Sequence, residues 1–361
     1  MKKIAIFLPD LRAGGAEKVA LLLSNEFVQK GCAVDVILCT AHGEFLSELD
    51  TRINVVDLKS PRLRNAFFPL LRYLKAERPD VLLALMWPLT LLAVTAFKFA
   101  KLPGRVVVSD HTTFSQAPLL KKKSTRIFFK LSLPMVYSFA NARLAVSEGV
   151  ANDLATLGNI KRSSITVLHN PVSSDTMRFT KEQNEESWQG FSGKKIVAVG
   201  ALKWEKDYPT LLKAFALLLK KENAYLSIVG QGTLLSELEA IAEQLGIRKQ
   251  VNFAGFSTMP SAWMASADLL VLSSSCEGFG NVIVESLDVG TAVVSTDCKS
   301  GPREILCDGK YGKLVPVGDV DALAQAMVES LNEQHDMDAL KLRAAKFSVD
   351  KIAKQYLEVF R

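Results

Sequence analysis

The sequence predicts an α/β protein with two domains, each built on a doubly wound parallel sheet. Short apolar runs alternate with helical segments along most of the 361 residues, which is the pattern of parallel strands joined by crossover helices. The length suits about two domains. Near the middle, residues 173–194 are polar and lack apolar periodicity, which indicates a linker. We therefore place an N-terminal domain at residues 1–172 and a C-terminal domain at residues 195–346.

The N-terminal domain opens with a strand, a glycine loop, a helix and a second strand. Strand Ile4–Leu8 precedes Gly14 and Gly15, a helix at about Ala16–Lys30 and strand Val34–Cys39. Such Rossmann-like units place ligands at the carboxyl ends of their strands. The chain lacks the full G-x-G-x-x-G pattern here. The two glycines alone fit a tight turn as well as a close approach to a ligand.

Two later segments of this domain mix basic and large apolar residues, at 59–80 and 118–139. Residues 1–180 carry 24 Lys and Arg against 14 Asp and Glu, whereas the remainder carries 20 against 24. The segments fit ordinary packing helices with solvated lysines. They fit equally well basic amphipathic helices that contact an anionic membrane.

The longest uncharged run, Val81–Phe97, is not expected to cross a membrane. It only just reaches the roughly 17 residues that a transmembrane helix needs, and Pro88 divides it. We predict a buried strand followed by a helix that begins near Pro88. The N-terminal apolar run ends at Pro9 and Asp10, too soon for a signal peptide.

Five cysteines without a C-x-x-C pair favour a reduced, cytoplasmic protein over a disulfide framework, and they do not suggest zinc. Two D-x-D sequences, Asp319–Asp321 and Asp336–Asp338, superficially match a metal motif. Both are better explained as helix caps and first-turn acids.

His111 is a candidate site residue of the N-terminal domain, because it follows strand Val106–Ser109 directly. Asp110, beside it, is either its local partner or a turn cap. In the C-terminal domain the candidate stretch is Ala267–Cys307, which predicts a strand, a glycine-containing loop, a helix, a strand and a loop.

Two carboxylates flank the start of the helix in that stretch. Glu277 lies in the first loop and Glu285 on the helix, while Phe279, Gly280 and Asn281 stand where the helix begins. Backbone N–H groups and the helix dipole make this an anion site. A phosphate there, with carboxylates for hydroxyl groups, indicates a ligand that is part phosphate and part sugar.

These residues resemble a known family. The E-x7-E spacing of Glu277 and Glu285, the apolar LLVL before it, EGFGN within it and SGPREIL at Ser300–Leu306 are similar to the retaining glycosyltransferases of family 4, of GT-B fold. The resemblance covers nearly the whole chain. It implies two domains facing across a cleft, with the acceptor on the basic N-terminal domain and the nucleotide sugar on the C-terminal one. It also implies that a last helix, within residues 347–361, packs back on the first domain.

The resemblance assigns a role to each catalytic candidate. Glu277 is expected to bind hydroxyls of the donor sugar, and Glu285 those of the ribose. Lys206 and the N–H groups at Phe279–Asn281 are expected to stabilise the leaving diphosphate. His111 is expected to position the sugar.

The glycines have implied roles as well. Gly14 and Gly15 match a loop that faces donor and acceptor, and Gly230 and Gly232 match a turn near the nucleotide base. The chain departs from the family at Ala201, where an Arg is usual. Lys203 supplies charge but not the bidentate geometry of Arg.

The predicted activity is retaining transfer of a hexose or N-acetylhexosamine from a nucleotide sugar, with UDP the expected nucleotide. The acceptor would be a glycan or a lipid-linked glycan in bacterial surface polysaccharide synthesis, lipopolysaccharide included. No metal and no cofactor are expected, and no nucleic-acid partner. Peripheral contact with the anionic cytoplasmic face of the inner membrane is an expectation of the same kind. A catalytically silent binding module on this fold is the alternative, which Ala201 keeps open. A glycosidase would also use two carboxylates but would need no phosphate cradle.

Overall fold

The computed structural model describes residues 2–12, 14–117, 120, 122–173, 188 and 191–361. Two compact units are found, Met1–Pro171 with Ser348–Arg361, and Val172–Phe347. We call them unit 1 and unit 2. Each contains one parallel sheet, so the predicted α/β class with two Rossmann-like domains is confirmed. Most of the predicted linker, residues 174–187, 189 and 190, lies outside the described residues, as do Pro118, Leu119 and Lys121 of the second basic segment.

Unit 1 contains a seven-stranded parallel sheet of order β3-β2-β1-β4-β5-β6-β7. Its strands are β1 (Lys3–Leu8), β2 (Ala33–Leu38), β3 (Asn54–Asp57), β4 (Val81–Leu85), β5 (Arg105–Asp110), β6 (Ala142–Ala145) and β7 (Thr166–Val167). Its first helices are α1 (Gly15–Gln29), α2 (Phe67–Glu77), α3 (Leu89–Ala100), α4 (Lys123–Tyr137) and α5 (Glu148–Gly158). The central strands are apolar on both faces because helices cover both sides of the sheet.

Unit 2 contains a six-stranded parallel sheet of order β10-β9-β8-β11-β12-β13. Its strands are β8 (Lys194–Val199), β9 (Ala224–Val229), β10 (Val251–Gly255), β11 (Leu269–Leu272), β12 (Ala292–Thr296) and β13 (Lys313–Val315). Its helices are α6 (Tyr208–Leu218), α7 (Leu235–Gln244), α8 (Pro260–Ala265), α9 (Asn281–Val289), α10 (Pro302–Ile305), α11 (Val320–Asn332) and α12 (Met337–Ala344).

The last helix, α13 (Val349–Val359), belongs to unit 1. The Phe360 ring meets the Phe27 ring of α1 edge-on at 5.7 Å between centroids, and Tyr356 is fully buried. Lys30 Nζ donates to Asp350 Oδ1 over 2.6 Å. The helix thereby covers an apolar face of α1.

Several local predictions are confirmed. The uncharged run divides into β4 and α3 around Pro88, and over the described residues no helix is long and apolar enough to cross a bilayer. Both D-x-D sequences are helix caps, since Asp319 Oδ1 accepts from Ala322 N at 2.9 Å and Asp336 Oδ1 from Ala339 N at 3.0 Å.

Trp188 lies within the predicted linker but is fully buried in unit 2. Its ring packs edge-on against Trp263 at 5.8 Å, and its indole N–H donates to Ser266 Oγ. The polar composition of the segment gave no sign of this buried contact.

Candidate functional site

The site of unit 2 lies where the strand order reverses, between β8 and β11. The loops that follow these two strands run in opposite directions, which leaves a crevice at the carboxyl ends of the strands. The loop after β8 carries Lys206 and the loop after β11 carries Glu277. The sheet topology therefore brings together two residues that are 71 positions apart.

Lys206 and Glu277 are in direct contact. Lys206 Nζ lies 2.6 Å from Glu277 Oε1, and Ser274 Oγ donates to the same oxygen over 2.7 Å. The side chains are 21% and 12% exposed, so the pair is partly shielded from water. Burial and the nearby Glu277 carboxylate raise the pKa of Tyr208 well above its usual value.

The loop after β8 rests on glycine backbone. The carbonyl oxygen of Gly200 accepts from the Tyr208 hydroxyl at 2.8 Å, and a Cβ on Gly230 would lie 2.0 Å from that carbonyl. A Cβ on Gly232 would lie 2.4 Å from the carbonyl oxygen of Leu202. Gly230 and Gly232, predicted as ligand-binding glycines, thus have a packing reason to be glycine. Their predicted contact with the base stays a prediction.

The predicted helix start is also present. Gly280 has a φ of 98° and immediately precedes α9, which begins at Asn281. Phe279 is only 2% exposed and its ring packs edge-on against Phe347, so only its backbone can face a ligand. A Cβ on Gly301 would lie 1.7 Å from the carbonyl oxygen of Phe279, which shows how closely the two loops pack.

Two other predicted residues of unit 2 differ in exposure. Glu285 lies on α9 and is 5% exposed. Lys203 is exposed and forms no ion pair with any residue that the structure describes. It stands two residues after Ala201, whose methyl group cannot bind an anion. Lys203 is therefore the available cation on this part of the loop.

In unit 1, His111 follows the end of β5. Its Nε2 lies 3.2 Å from Ser109 Oγ, while Nδ1 is buried without a hydrogen-bond partner among the described residues. Burial lowers the pKa of His111 to about 4. The ring is therefore neutral at physiological pH and acts as a hydrogen-bonding group rather than as a cation.

Asp110 is neither the partner of His111 nor a turn cap. It is the last residue of β5 and fully buried, and its Oδ2 accepts from the Tyr137 hydroxyl over 2.9 Å. Successive side chains of a strand point to opposite faces. Ser109, two positions before His111, is consequently the residue that meets the imidazole.

A pH-dependent stability follows from Asp110. Burial raises its pKa to about 7 from 3.8, against the hydrogen bond from Tyr137, which lowers it. Between these values the folded protein keeps a proton that the unfolded chain has lost. The unfolding free energy should thus fall as pH rises through this window, by up to about 1.4 kcal/mol per pH unit.

Urea unfolding of the wild type and of Asp110→Asn across that window tests this expectation. The neutral amide still accepts from Tyr137 but cannot ionise, so the difference in unfolding free energy should grow in favour of the variant as pH rises. Parallel curves for the two proteins would contradict the prediction.

The loop after β1 carries the remaining predicted residues. Gly14 precedes α1 with a φ of −124°, a conformation open to any residue, and Gly15 is the first residue of the helix. A Cβ on Gly14 would meet mainly the flexible end of Glu17. Backbone strain therefore does not explain either glycine. Over the described residues, no three His, Cys, Asp or Glu side chains come together as a set of metal ligands.

Two family models match almost the entire chain. The model described as Glycosyltransferase Family 4 matches residues 13–176, and that described as Glycosyl transferases group 1 matches residues 180–347. The chain belongs to glycosyltransferase family 4. This bears out the family resemblance, and the protein is a glycosyltransferase.

Full-length relatives of this glycosyltransferase include a Campylobacter jejuni enzyme named N-acetylgalactosamine-N,N'-diacetylbacillosaminyl-diphospho-undecaprenol 4-alpha-N-acetylgalactosaminyltransferase. It is 29% identical, over 99% of both chains. Another enzyme of that organism, named an alpha-1,4-N-acetyl-D-galactosaminyltransferase, is 28% identical over 99% and 98% of the two chains. Among solved structures, Anabaena HepE in complex with UDP and glucose has a TM-score of 0.84 at 19% identity, over 99% of both chains. That likeness identifies the GT-B fold.

The sequence did not identify the residues that hold the charged pair of this glycosyltransferase. Ser273 Oγ donates to the carbonyl oxygen of Lys206 at 2.7 Å, and Ser275 N donates to that of Glu205 at 2.8 Å. Three consecutive serines after an apolar strand are the signal that was available. Serine side chains commonly form hydrogen bonds to nearby backbone groups.

The candidate residues fall in both units. Lys203, Lys206, Gly230, Gly232, Phe279, Gly280, Asn281, Glu277 and Glu285 belong to unit 2, and Gly14, Gly15 and His111 to unit 1. Within unit 2 the described contacts join Lys206 directly to Glu277. A cation and a carboxylate at a strand-end crevice, beside a helix start, can bind an anion and hydroxyl groups together.

Proposed function

We propose that this glycosyltransferase moves a hexose or N-acetylhexosamine from a UDP-sugar to a glycan or lipid-linked acceptor. The contact of Lys206 with Glu277 at the switch point of unit 2 is the observation that carries the proposal. The donor carries negative phosphates beside sugar hydroxyls. One ammonium and one carboxylate in contact match that combination of groups.

In the proposed reaction the bond from the anomeric carbon to the diphosphate oxygen breaks, and the acceptor hydroxyl forms its new bond on the same face. The acceptor proton passes to the departing phosphate oxygen, so no side-chain nucleophile is needed. Lys206 and the helix start at Asn281 would stabilise the leaving diphosphate without a metal. Glu277 would hold sugar hydroxyls, Glu285 ribose hydroxyls, and the neutral His111 would orient the sugar.

The names of the relatives support a sugar-transfer reaction of this kind. The Campylobacter enzyme is named for transfer to a diphospho-undecaprenol-linked sugar, and the Anabaena neighbour was solved with UDP and glucose. Others are named for lipopolysaccharide and amylovoran biosynthesis. We infer a role in bacterial surface polysaccharide synthesis from this group.

UDP release tests the proposal. The purified protein is incubated with UDP-glucose, UDP-galactose and their N-acetylated counterparts, with and without a polyprenyl-diphosphate-linked acceptor sugar, and again with EDTA. We expect transfer with one of them, an α-linked product by NMR, and no effect of EDTA. If none of these UDP-sugars is consumed, the proposed transfer reaction is wrong and the catalytically silent binding module is favoured.

We further propose that unit 1 contacts the anionic cytoplasmic face of the inner membrane through α2, α3 and α4, here called the α2–α4 surface. Its large apolar side chains are 50–72% exposed: Phe68, Phe99, Ile127, Phe128, Leu131, Met135 and Phe139. Lys98 Nζ lies 5.2 Å from the Phe139 ring centre, and the Phe67 and Phe99 rings are 5.9 Å apart, so the three helices present a continuous patch.

Basic residues accompany these apolar side chains. Lys98, Lys122, Arg126 and Lys130 lie on or beside the same helices. Exposed apolar groups interleaved with cations match a bilayer whose headgroups are anionic. A lipid-linked acceptor would reach the enzyme at such a membrane face.

Substitution of Leu131 by aspartate is expected to weaken vesicle binding. Leu131 is 70% exposed on α4, so the change should remove a membrane contact and add repulsion without disturbing the core. Leu342→Asp is the matched control, because Leu342 is 73% exposed on α12 in unit 2. Co-sedimentation with phosphatidylglycerol-containing vesicles should fall for the first variant only. If both variants bind the vesicles equally, the α2–α4 surface is not the membrane contact.

A further inference from the structure

The serine run Ser273–Ser275 follows β11 and contacts the Glu277 carboxylate and the backbone of Lys206. Ser274 Oγ donates to Glu277 Oε1, and Ser273 Oγ donates to the carbonyl oxygen of Lys206, each over 2.7 Å. Ser275 N donates to the carbonyl oxygen of Glu205 over 2.8 Å. Three consecutive residues therefore bind the loop after β8 and the carboxylate at once.

These contacts lie in the protein interior. Ser273 is 2% exposed and Ser274 is fully buried, so water does not compete for their hydroxyl groups. The carbonyl oxygen of Ser274 also accepts from Thr296 Oγ1 over 2.5 Å, which ties the run to the end of β12. A buried serine whose own backbone is hydrogen-bonded holds the acceptor of its hydroxyl group more firmly than a contact between two mobile side chains does.

Ser274 and Lys206 share one acceptor, Glu277 Oε1. The ammonium group has a competing partner whenever a diphosphate is near, whereas the Ser274 hydroxyl carries no charge and has no comparable competitor. When Lys206 turns toward phosphate, the carboxylate would keep the serine bond and lose the ion pair.

We propose that Ser274 is a positioning residue that holds the Glu277 carboxylate in place for the donor sugar, while Ser273 positions Lys206 through its backbone. The inference rests on the proposed function, because it takes a UDP-sugar as the ligand. It separates the roles of two adjacent serines: one acts on the sugar end of the donor and the other on the diphosphate end.

Calorimetric titration with UDP and with UDP-sugar tests this separation. Ser274→Ala should weaken binding of the UDP-sugar by about tenfold to a hundredfold, as expected for a lost hydrogen bond to a charged group, and leave UDP binding unchanged. Ser273→Ala should weaken the binding of both UDP and the UDP-sugar. Ser227→Ala is the matched control, because Ser227 is fully buried in β9 and its hydroxyl has no partner among the described residues.

A double-mutant cycle shows whether Ser274 acts through Glu277. The effect of Ser274→Ala should disappear in a Glu277→Ala background, where the acceptor of its hydroxyl group is gone, whereas a purely structural effect would persist. Ser274→Thr, which keeps the hydroxyl, should recover binding, and thermal unfolding checks that each variant is folded. The inference is overturned if Ser274→Ala behaves as Ser227→Ala, or if it weakens UDP and UDP-sugar equally. A wild type that binds UDP but no UDP-sugar contradicts it too. If the wild type binds neither, the proposed function itself is wrong.

Discussion

Glu277→Gln is expected to lower the transfer rate by on the order of a hundredfold to a thousandfold, the scale seen when one charge-stabilising group of an active site is lost. The amide is nearly isosteric with the carboxylate, so packing should hold. It still accepts a hydrogen bond but carries no charge, so the ion pair with the Lys206 ammonium, which lies 2.6 Å away and is only 21% exposed, is lost. The lysine would be held less firmly, and the donor sugar would lose an anionic acceptor.

Steady-state UDP release with a saturating acceptor measures this effect. Glu239→Gln serves as the control, because Glu239 also pairs with a cation in unit 2, Arg248, at 3.2 Å on the surface. Surface pairs contribute little, so this variant should retain normal transfer. Comparable rates for both variants would show that the Lys206–Glu277 contact has no part in the reaction.

Gly301→Ala is expected to be the most destabilising single substitution in the site. The added Cβ would lie 1.7 Å from the carbonyl oxygen of Phe279, and the φ of 94° is unfavourable for any other residue. Because the contact is with backbone, the loop before α9 must move. We expect a loss of more than about 4 kcal/mol in unfolding free energy, as for other severe core clashes, together with loss of UDP binding.

Gly246→Ala measures the backbone strain alone, so its difference from Gly301→Ala gives the steric part. Gly246 also has a positive φ, of 70°, but nothing lies within 4 Å of its hypothetical Cβ. Its substitution should cost only the backbone strain of about 1–2 kcal/mol. Chemical denaturation of both variants gives the comparison, and similar losses would mean that the Gly301–Phe279 approach can relax.

The sequence placed Lys206 and Glu277 at one site for a reason that the structure confirms. Each follows an apolar strand, and parallel strands end at one edge of a sheet. The helix start at Asn281 was visible from Gly280 and the apolar residues after it. The pattern of apolar strands therefore predicts where a site lies, because a parallel sheet brings the loops after different strands to the same edge.

Side-chain partners were not predictable in the same way. The bonds from Ser273 to Lys206 and from Tyr137 to Asp110 join residues 67 and 27 positions apart, and both depend on strand register and helix rotation. Asp110 was placed beyond the strand, whereas β5 includes it. Asp110 lies within the strand and accepts from Tyr137, so both predicted roles, partner of His111 and turn cap, were wrong.

The position of α13 has a consequence for how the protein is made. Unit 2 is inserted between Pro171 and Ser348 of unit 1, so unit 1 receives its final helix only after the whole of unit 2 has left the ribosome. Until then the Phe27 face of α1 lacks its Phe360 partner. During synthesis this apolar face therefore stays uncovered while unit 2 is made, and exposed apolar surface of this kind favours aggregation.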